Sequence, residues 1–306
     1  MKLYPMNVIE FQDAFPTDRA CFEYLCLVKW PDGFICPQCH GRDAWKLQRY
    51  ILRCKTCTKD ISVTAGTVFQ DLHIPLRLIF QAMWYVVCQK QGVSALGLQK
   101  ILGVGNYETA WSWLHKLRTA MIRPGRELLT GTVEVDETLV GGSQPGKRGR
   151  GAEGRELVYI AVEDKGMEGV GRIRLKHISD ASSLSLVGAV KETVVPKSTI
   201  RTDGWKGYSR ISTNGYRHVI INHHEDAPGE DPTPLAHRIA SLLKRWLLGT
   251  HQGGQQFSHL HYYLDEFVFR FNRRTARSRG LLFYRLIQQA LQIDPVPRIA
   301  LKAVGV

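Results

Sequence analysis

The 306 residues carry 41 Lys and Arg against 28 Asp and Glu, a formal net charge of +13, with 44% hydrophobic and 23% charged side chains. That balance excludes wholesale disorder, leaves room for two or three domains, and points to a polyanionic partner, nucleic acid before a membrane surface. No apolar run approaches the ~20 residues of a membrane span, no basic-then-apolar leader opens the chain, and seven cysteines, an odd number, fit a reducing compartment, so a cytoplasmic protein is expected.

The charge is unevenly spread. Residues 1–128 hold 16 basic and 10 acidic side chains, residues 129–233 hold 14 and 15, and residues 234–306 hold 11 and 3. A nearly neutral middle therefore lies between two positive flanks. Acidic metal ligands between DNA-holding parts would give this pattern.

In the first flank, Cys36-Pro-Gln-Cys39 and Cys54-Lys-Thr-Cys57 form two C-x-x-C knuckles. Each offers two thiolates from one tight turn, and together they can close a tetrahedral Zn²⁺ site. The segment AWKLQRYILR between them alternates as a strand does, which a zinc ribbon requires. A redox C-x-x-C pair or buried free thiols is the other reading. Cys21, Cys26 and Cys88 lie in apolar helical contexts and read as core thiols.

Helical periodicity then sets in at Pro75 (PLRLIFQAMWYVVCQKQ) and continues through SALGLQKIL and NYETAWSWLHKLRTAMI, with Gly103 and Gly105 turning between the last two. A short helix, a glycine turn and a longer helix predict a helix-turn-helix, with Lys116 and Arg118 as DNA contacts; a plain helical bundle is the alternative.

From Gly131 the period changes to that of strands. TVEVDET, LVYIAVE and GRIRLKHI are followed by a Ser-capped helix (SSLSLVGAVKETV) and a fourth strand (STIRTDGW). Three strands, a helix and a fourth strand begin an RNase H-like sheet. Asp136 is expected at the end of the first strand and Asp203 at the end of the fourth. Strand-end carboxylates on neighbouring strands can hold two divalent ions for phosphoryl transfer, although a strand-end aspartate is also a common turn-former. GWKGYSRI reads as a helix and YRHVII as a further strand.

After the polar segment NHHEDAPGEDPTP, a strong helix is predicted over AHRIASLLKRWLLG, stopped by Gly249. His237 and Lys244 are seven residues apart on it, so they point the same way, one ~10.5 Å beyond the other. Arg245 follows. FVFRFNRRTARSR gathers Arg270, Arg273, Arg274, Arg277 and Arg279, and the glycine-rich loop after the first strand carries Lys147, Arg148 and Arg150. Phosphate contact is the natural use of these cations, with salt-dependent affinity and no sequence readout; the loop reads equally as a surface insertion. GLLFYRLIQQAL closes the chain as an amphipathic helix.

Seven stretches in order, WPDGFICPQC, LRCKTCTKDISVTAGTVF, TAWSWLHKLRTAM, VEVDETLVGG, RTDGWKGY, SLLKRWLLGTH and YYLDEFVFRFNRR, resemble the insertion-sequence transposases that combine an N-terminal zinc ribbon with a DDE-type catalytic domain. The resemblance runs from about Phe15 to Asn272. It implies that Asp136 and Asp203 are the first two catalytic acids. The family's third position, four residues before the Ser of SLLKR and frequently glutamate, is His237 here, and Lys244 matches the basic residue two turns further on. Imidazole suits Mn²⁺ better than the harder Mg²⁺. The acids before it (Glu225, Asp226, Glu230, Asp231) offer alternatives, Glu230 or Asp231 foremost, and a degenerate inactive site is the remaining one.

The sequence thus predicts a multi-domain α+β and α/β protein. It would comprise a zinc ribbon with an N-terminal helix (1–70), a helix-turn-helix-like domain (71–128), an RNase H-like mixed sheet flanked by helices (129–278), and a C-terminal helix and tail (279–306). The expected cofactors are structural Zn²⁺ and catalytic Mg²⁺ or Mn²⁺. The expected partners are double-stranded DNA, as terminal inverted repeats and target, and further copies of the chain assembled on it, at the nucleoid in the cytoplasm and away from membranes. A DNA-binding regulator with a vestigial catalytic domain, or a nuclease that cuts without joining, are the competing functions.

Overall fold

The computed structural model describes residues 3–47, 51–123, 125–141, 155–221, 231–252 and 257–303. It divides into two compact units, Met1–Pro124 with Thr275–Val306, and Gly125–Arg274. Among the described residues no helix is long and apolar enough to cross a membrane.

The first unit opens with α1 (Val8–Ala14) and α2 (Asp18–Lys29). Asn7 and Thr17 cap them, accepting the backbone N–H groups of Glu10 and Ala20, donors that would otherwise have no partner. A three-stranded antiparallel sheet follows, β1 (Ala44–Lys46), β2 (Ile51–Cys54) and β3 (Asp60–Ser62), with β2 in the centre. Next come α3 (Leu76–Cys88), α4 (Ala95–Leu102) and α5 (Tyr107–Thr119). Ser94 and Asn106 cap α4 and α5, and between them Gly103 takes the left-handed conformation (φ +64°) that ends α4.

In the second unit, β4 (Thr132–Gly141), β5 (Arg155–Asp164) and β6 (Val170–Ile178) are antiparallel neighbours. α6 (Ser183–Thr193) then leads to β7 (Thr199–Thr202) and β8 (Arg217–Ile220). The five strands lie in the order β6-β5-β4-β7-β8, with β7 parallel to β4 and β8 parallel to β7. This is the RNase H-like mixed sheet, completed by α7 (Pro234–His251) and α8 (Leu260–Phe271). Alternate residues serve opposite faces, as a strand requires. Val133, Val135, Tyr159, Ala161 and Ile200 pack with Leu186 and Val190 of α6. Val158, Ile160 and Val162 pack with Ile239, Leu243 and Phe267 of α7 and α8.

The chain then returns to the first unit as α9 (Arg279–Ala290) and α10 (Arg298–Ala303). Phe283 of α9, fully buried, sits within 5.4–6.3 Å of the rings of Phe11, Phe15, Phe80, Trp84 and Tyr24. The predicted amphipathic tail helix is thus the centre of an aromatic core.

Three local expectations are corrected. Asp136 is not at a strand end: β4 continues to Gly141 because its antiparallel partner β5 pairs with it along its whole length. GWKGYSRI forms a single 3₁₀ turn at Lys206–Tyr208 rather than a helix. Gly207 lies so close to the Ala181 carbonyl that a Cβ there would sit 2.5 Å from it. Gly249 does not stop α7, whose apolar face (Ile239, Leu243, Leu247) holds it past an exposed glycine; the helix ends at Gln252 in the left-handed region, φ 49°.

Candidate active site and zinc site

The two knuckles fold alike. In the first, His40 N–H donates to the Cys36 carbonyl (3.0 Å) and Cys36 N–H to the Gly41 carbonyl (2.9 Å). In the second, Thr58 N–H donates to the Cys54 carbonyl (3.0 Å) and Cys54 N–H to the Lys59 carbonyl (3.0 Å). His40 and Thr58 both take left-handed φ values, 60° and 58°. The four Sγ atoms of Cys36, Cys39, Cys54 and Cys57 lie within 4.8 Å of one another, and the Cys36–Cys57 and Cys39–Cys54 pairs are 3.6 Å apart. A tetrahedron with ~2.3 Å Zn–S bonds has edges of about 3.8 Å. The cluster therefore fits zinc. Backbone N–H groups of Cys57 and Thr56 and the neighbouring thiols pull the Cys54 thiol down to about 6, while against the Gly41 N–H the thiols of Cys57, Cys54 and Cys36 push Cys39 up to about 12. Burial instead pushes Cys21 up to about 12 and Cys26 to about 11, consistent with inert core thiols.

On the RNase H-like sheet, the parallel register pairs Thr132 with Thr199, Val133 with Ile200 and Glu134 with Arg201. Carried two residues further, that register sets Asp136 beside Asp203, just past the end of β7. The sequence spacing between the two aspartates is the strand register itself. Asp136 is 8% exposed. Its Oδ1 accepts the Glu137 N–H (2.7 Å) and its Oδ2 accepts the Thr233 hydroxyl (3.1 Å). Burial pushes its carboxyl above the usual range, and the charges of Glu137 and Asp203 add to this against the pull of the Glu137 N–H and His237. Asp203 accepts the Trp205 N–H on Oδ1 (3.0 Å).

His237 stands on the first turn of α7, half exposed, with Nε2 2.9 Å from Asp136 Oδ2 and Nδ1 2.7 Å from the Asp231 carboxylate. Burial alone would lower its pKa. The hydrogen bond to Asp231 and the charges of Asp136, Asp231 and Asp203 outweigh that and raise it. Asp136 and His237 thus pair directly, with Asp231 behind the imidazole, and Asp203 lies near enough for its charge to act on both; among the described residues only the four cysteines already gather closely enough to hold a metal ion. Glu225, Asp226 and Glu230 lie outside the described residues, as do Lys147, Arg148 and Arg150.

Lys244 and Arg245 are exposed on α7, and His237, Ser241, Lys244 and Leu248 form one exposed stripe along it. The other predicted DNA contacts divide. Arg277 is exposed. Arg270 is bonded to the buried Glu266 (2.6 Å). Arg273 lies over the Phe269 ring and Arg274 over the Phe271 ring, both at 4.2 Å, and Arg274 donates to the Gly171, Phe271 and Val170 carbonyls. Lys116 is half buried, 4.9 Å from the Trp113 ring centre, and burial lowers its pKa. Arg118 is 1% exposed and donates to the Val93 carbonyl (3.4 Å). It is a core residue of the helix pair, a correction to its expected place on a DNA-facing surface: α5 is buried on nearly every side beyond Glu108.

The sequence analysis assigned no role to Thr233, Arg201 or Glu134. Glu134 is fully buried, accepting Arg201 Nη1 on Oε1 (3.1 Å) and the N–H groups of Leu235 (2.8 Å) and Ala236 (3.1 Å) on Oε2. Its distance in the chain from α7 hid that contact; its parity with Asp136 on β4 was the available signal.

With this geometry in view, the chain can be set against known proteins. Residues 128–272 match the ISXO2-like transposase domain family and residues 16–60 the transposase zinc-ribbon domain family, together more than half of the chain. The chain belongs to the insertion-sequence transposases that join these two domains. A protein described as an uncharacterized protein in transposable element ISH50, from Halobacterium salinarum, is 24% identical over 264 residues, 78% of this transposase and 86% of the relative. A solved chain from the simian T-cell lymphotropic virus intasome, in complex with PP2A regulatory subunit B56 gamma, is 17% identical with a TM-score of 0.32. That match covers 61% of this chain and 64% of the other, just under two thirds of its length, and is too loose to bear on mechanism.

Proposed function

We propose that this transposase binds the terminal inverted repeats of its own insertion sequence, cleaves the element ends and joins the freed 3′-hydroxyls to target DNA. The observation that supports the reading is the pairing of His237 Nε2 with Asp136 Oδ2 at 2.9 Å, on the strand whose register sets Asp203 beside Asp136. The donor types suit divalent ions: Asp136 on β4, Asp203 just past the end of the neighbouring β7, and the His237 imidazole 2.9 Å from Asp136 Oδ2. Mg²⁺ or Mn²⁺ held by Asp136, Asp203 and His237 would activate the attacking hydroxyl and stabilise the leaving oxygen, the imidazole favouring Mn²⁺.

The chain's own residues fix the ligands. The Glu137 N–H and Thr233 hydroxyl orient Asp136, the Trp205 N–H orients Asp203, and Asp231 holds the imidazole. Such outer contacts set ligand direction and basicity. Lys244, exposed two turns along α7, would contact a phosphate of the bound end. Lys116, Arg245, Arg273, Arg274 and Arg277, with Lys147, Arg148 and Arg150 of the loop, would add backbone contacts; Arg270 is committed to Glu266. The zinc ribbon (1–70) and the helical region (71–128) would recognise the repeat, residues 129–278 would do the chemistry, and two or more copies would bring both ends together at the nucleoid.

The test is a strand-transfer assay with a terminal-repeat duplex in Mg²⁺ and, separately, Mn²⁺. The parent should cleave and insert the end into a second duplex. His237→Ala should abolish both steps while end binding persists. Binding without chemistry in either metal would favour a regulator, and cleavage without insertion a nuclease.

A further inference from the structure

The start of α7 is capped in an unusual way. A helix leaves its first N–H groups without intrahelical partners, and the residue at the N-cap commonly accepts one of them through its side chain. Thr233 stands at the N-cap of α7 and makes no such bond. Its hydroxyl is directed instead to Asp136 Oδ2. Pro234 has no N–H to satisfy. Of the remaining three donors, the Thr233 N–H goes to Asp231 Oδ1 (3.0 Å), and those of Leu235 and Ala236 go to Oε2 of Glu134, at 2.8 and 3.1 Å, on a strand about a hundred residues earlier in the chain.

Glu134 is held in turn. Arg201 of β7, its register partner, donates Nη1 to Glu134 Oε1 (3.1 Å) and Nη2 to Asp164 Oδ2 on β5 (2.6 Å). One guanidinium therefore bridges three neighbouring strands and fixes the carboxylate that receives the helix. Glu134 and Asp136 are two residues apart on β4 and so face α7 together. Ala236, which donates to Glu134, precedes His237, which meets Asp136. The distance between the imidazole and the aspartate is thus set by a clamp one strand-repeat away.

We propose that Glu134, braced by Arg201, is a positioning residue that docks the N-terminus of α7 onto β4 and thereby holds His237 in register with Asp136 for divalent-ion binding. The cap is supplied from the sheet, and this releases the Thr233 hydroxyl for the aspartate. The inference rests on the reading that Asp136 and His237 share a metal.

The experiment compares full-length, zinc-loaded parent with Glu134→Ala, Glu134→Asp, Glu134→Gln and His237→Ala. Free Mn²⁺ is followed by electron paramagnetic resonance, and amide exchange of the segment around Leu235 and Ala236 by mass spectrometry without added Mn²⁺. Glutamine keeps one oxygen for the two N–H groups but sets an amide NH2, a donor, against the Arg201 guanidinium. Aspartate keeps the charge but is one methylene too short, and alanine has neither. Glu134→Ala and Glu134→Asp should exchange faster at the start of α7 and bind Mn²⁺ at least tenfold more weakly, whereas Glu134→Gln, which keeps the two N–H bonds and loses the Arg201 brace, should fall between the parent and Glu134→Asp. Should the alanine protein not fold, the Asp–Gln comparison alone decides. Parent-like Mn²⁺ binding in Glu134→Asp, or glutamine as weak as aspartate, overturns the clamp. Parent-like binding in His237→Ala overturns instead the metal reading beneath it.

Discussion

Cys57→Ser removes one of the four zinc ligands while sparing the ribbon's packing. Cys57 is half buried and outside the three strands, whereas Cys36 and Cys54 form the ribbon core with Ile61. The change therefore isolates the ligand. Structural zinc contributes an apparent ~10–16 kcal/mol across four ligands, or about 2.5–4 kcal/mol for each thiolate, so one serine should weaken zinc binding roughly 10²–10³-fold. A ribbon whose strands run only three, four and three residues has little else to hold it, since short strands with a small core are marginal. Competition for zinc against a chromogenic chelator measures the affinity, and limited proteolysis between residues 30 and 62 reports the local fold. The unit Gly125–Arg274 carries none of the four cysteines and should resist the protease as before. A Cys57→Ser protein that holds zinc within threefold of the parent, or a parent purified without zinc, would refute the tetrathiolate site.

Other consequences can be checked as directly. A Cβ on Gly41 would lie 2.6 Å from Thr56 Oγ1 and 3.3 Å from Cys54 Sγ; Gly41→Ala should weaken zinc about tenfold and Thr56→Ala in the same chain should restore it, as the chelator competition will show. His237→Glu supplies a hard oxygen ligand and should move the metal preference of end cleavage toward Mg²⁺; identical Mg²⁺-to-Mn²⁺ rate ratios in variant and parent would contradict the assignment. Burial pushes Asp265 on α8 up to about 7, against the pull of Arg126. Because the folded-state value lies above that of the unfolded chain, Asp265 costs nothing below about pH 4 and its full penalty above about pH 7. Asp265→Asn should therefore add up to about 4 kcal/mol of stability at pH 8 and almost none at pH 4, which urea unfolding at the two pH values measures.

What was legible in the sequence followed short-range rules. The cysteine spacing announced a four-thiolate cluster because each knuckle is a local turn. The strand periods gave the sheet because alternation is a property of a few consecutive residues. The adjacency of Asp136 and Asp203 was legible too, although the reason differs: Asp136 lies inside β4, and it is the neighbouring β7 that ends beside it. What was hidden depended on contacts distant in sequence. Arg118 looks like a groove-facing cation until the Val93 carbonyl and the burial of α5 account for it. Arg270 belongs to a cationic run by composition and to Glu266 by geometry. The helix-capping use of Glu134 cannot be read from β4 alone, since it requires knowing where α7 begins in space.

The hairpin between β5 and β6 lies between the two aspartates in the chain but not in space. Its tip, Lys165–Gly169, projects a fully exposed Met167, and Gly166 and Gly169 take positive φ values to turn it. Asp136 and Asp203 are aligned by direct pairing of β4 with β7, so chain added at the tip lengthens the spacer without moving either. Two chains with very different spacing between these aspartates could therefore keep the same juxtaposition, and a search keyed to a fixed interval would pass one of them over. The same tip is a natural place to carry an epitope or a fluorophore for following the protein on DNA.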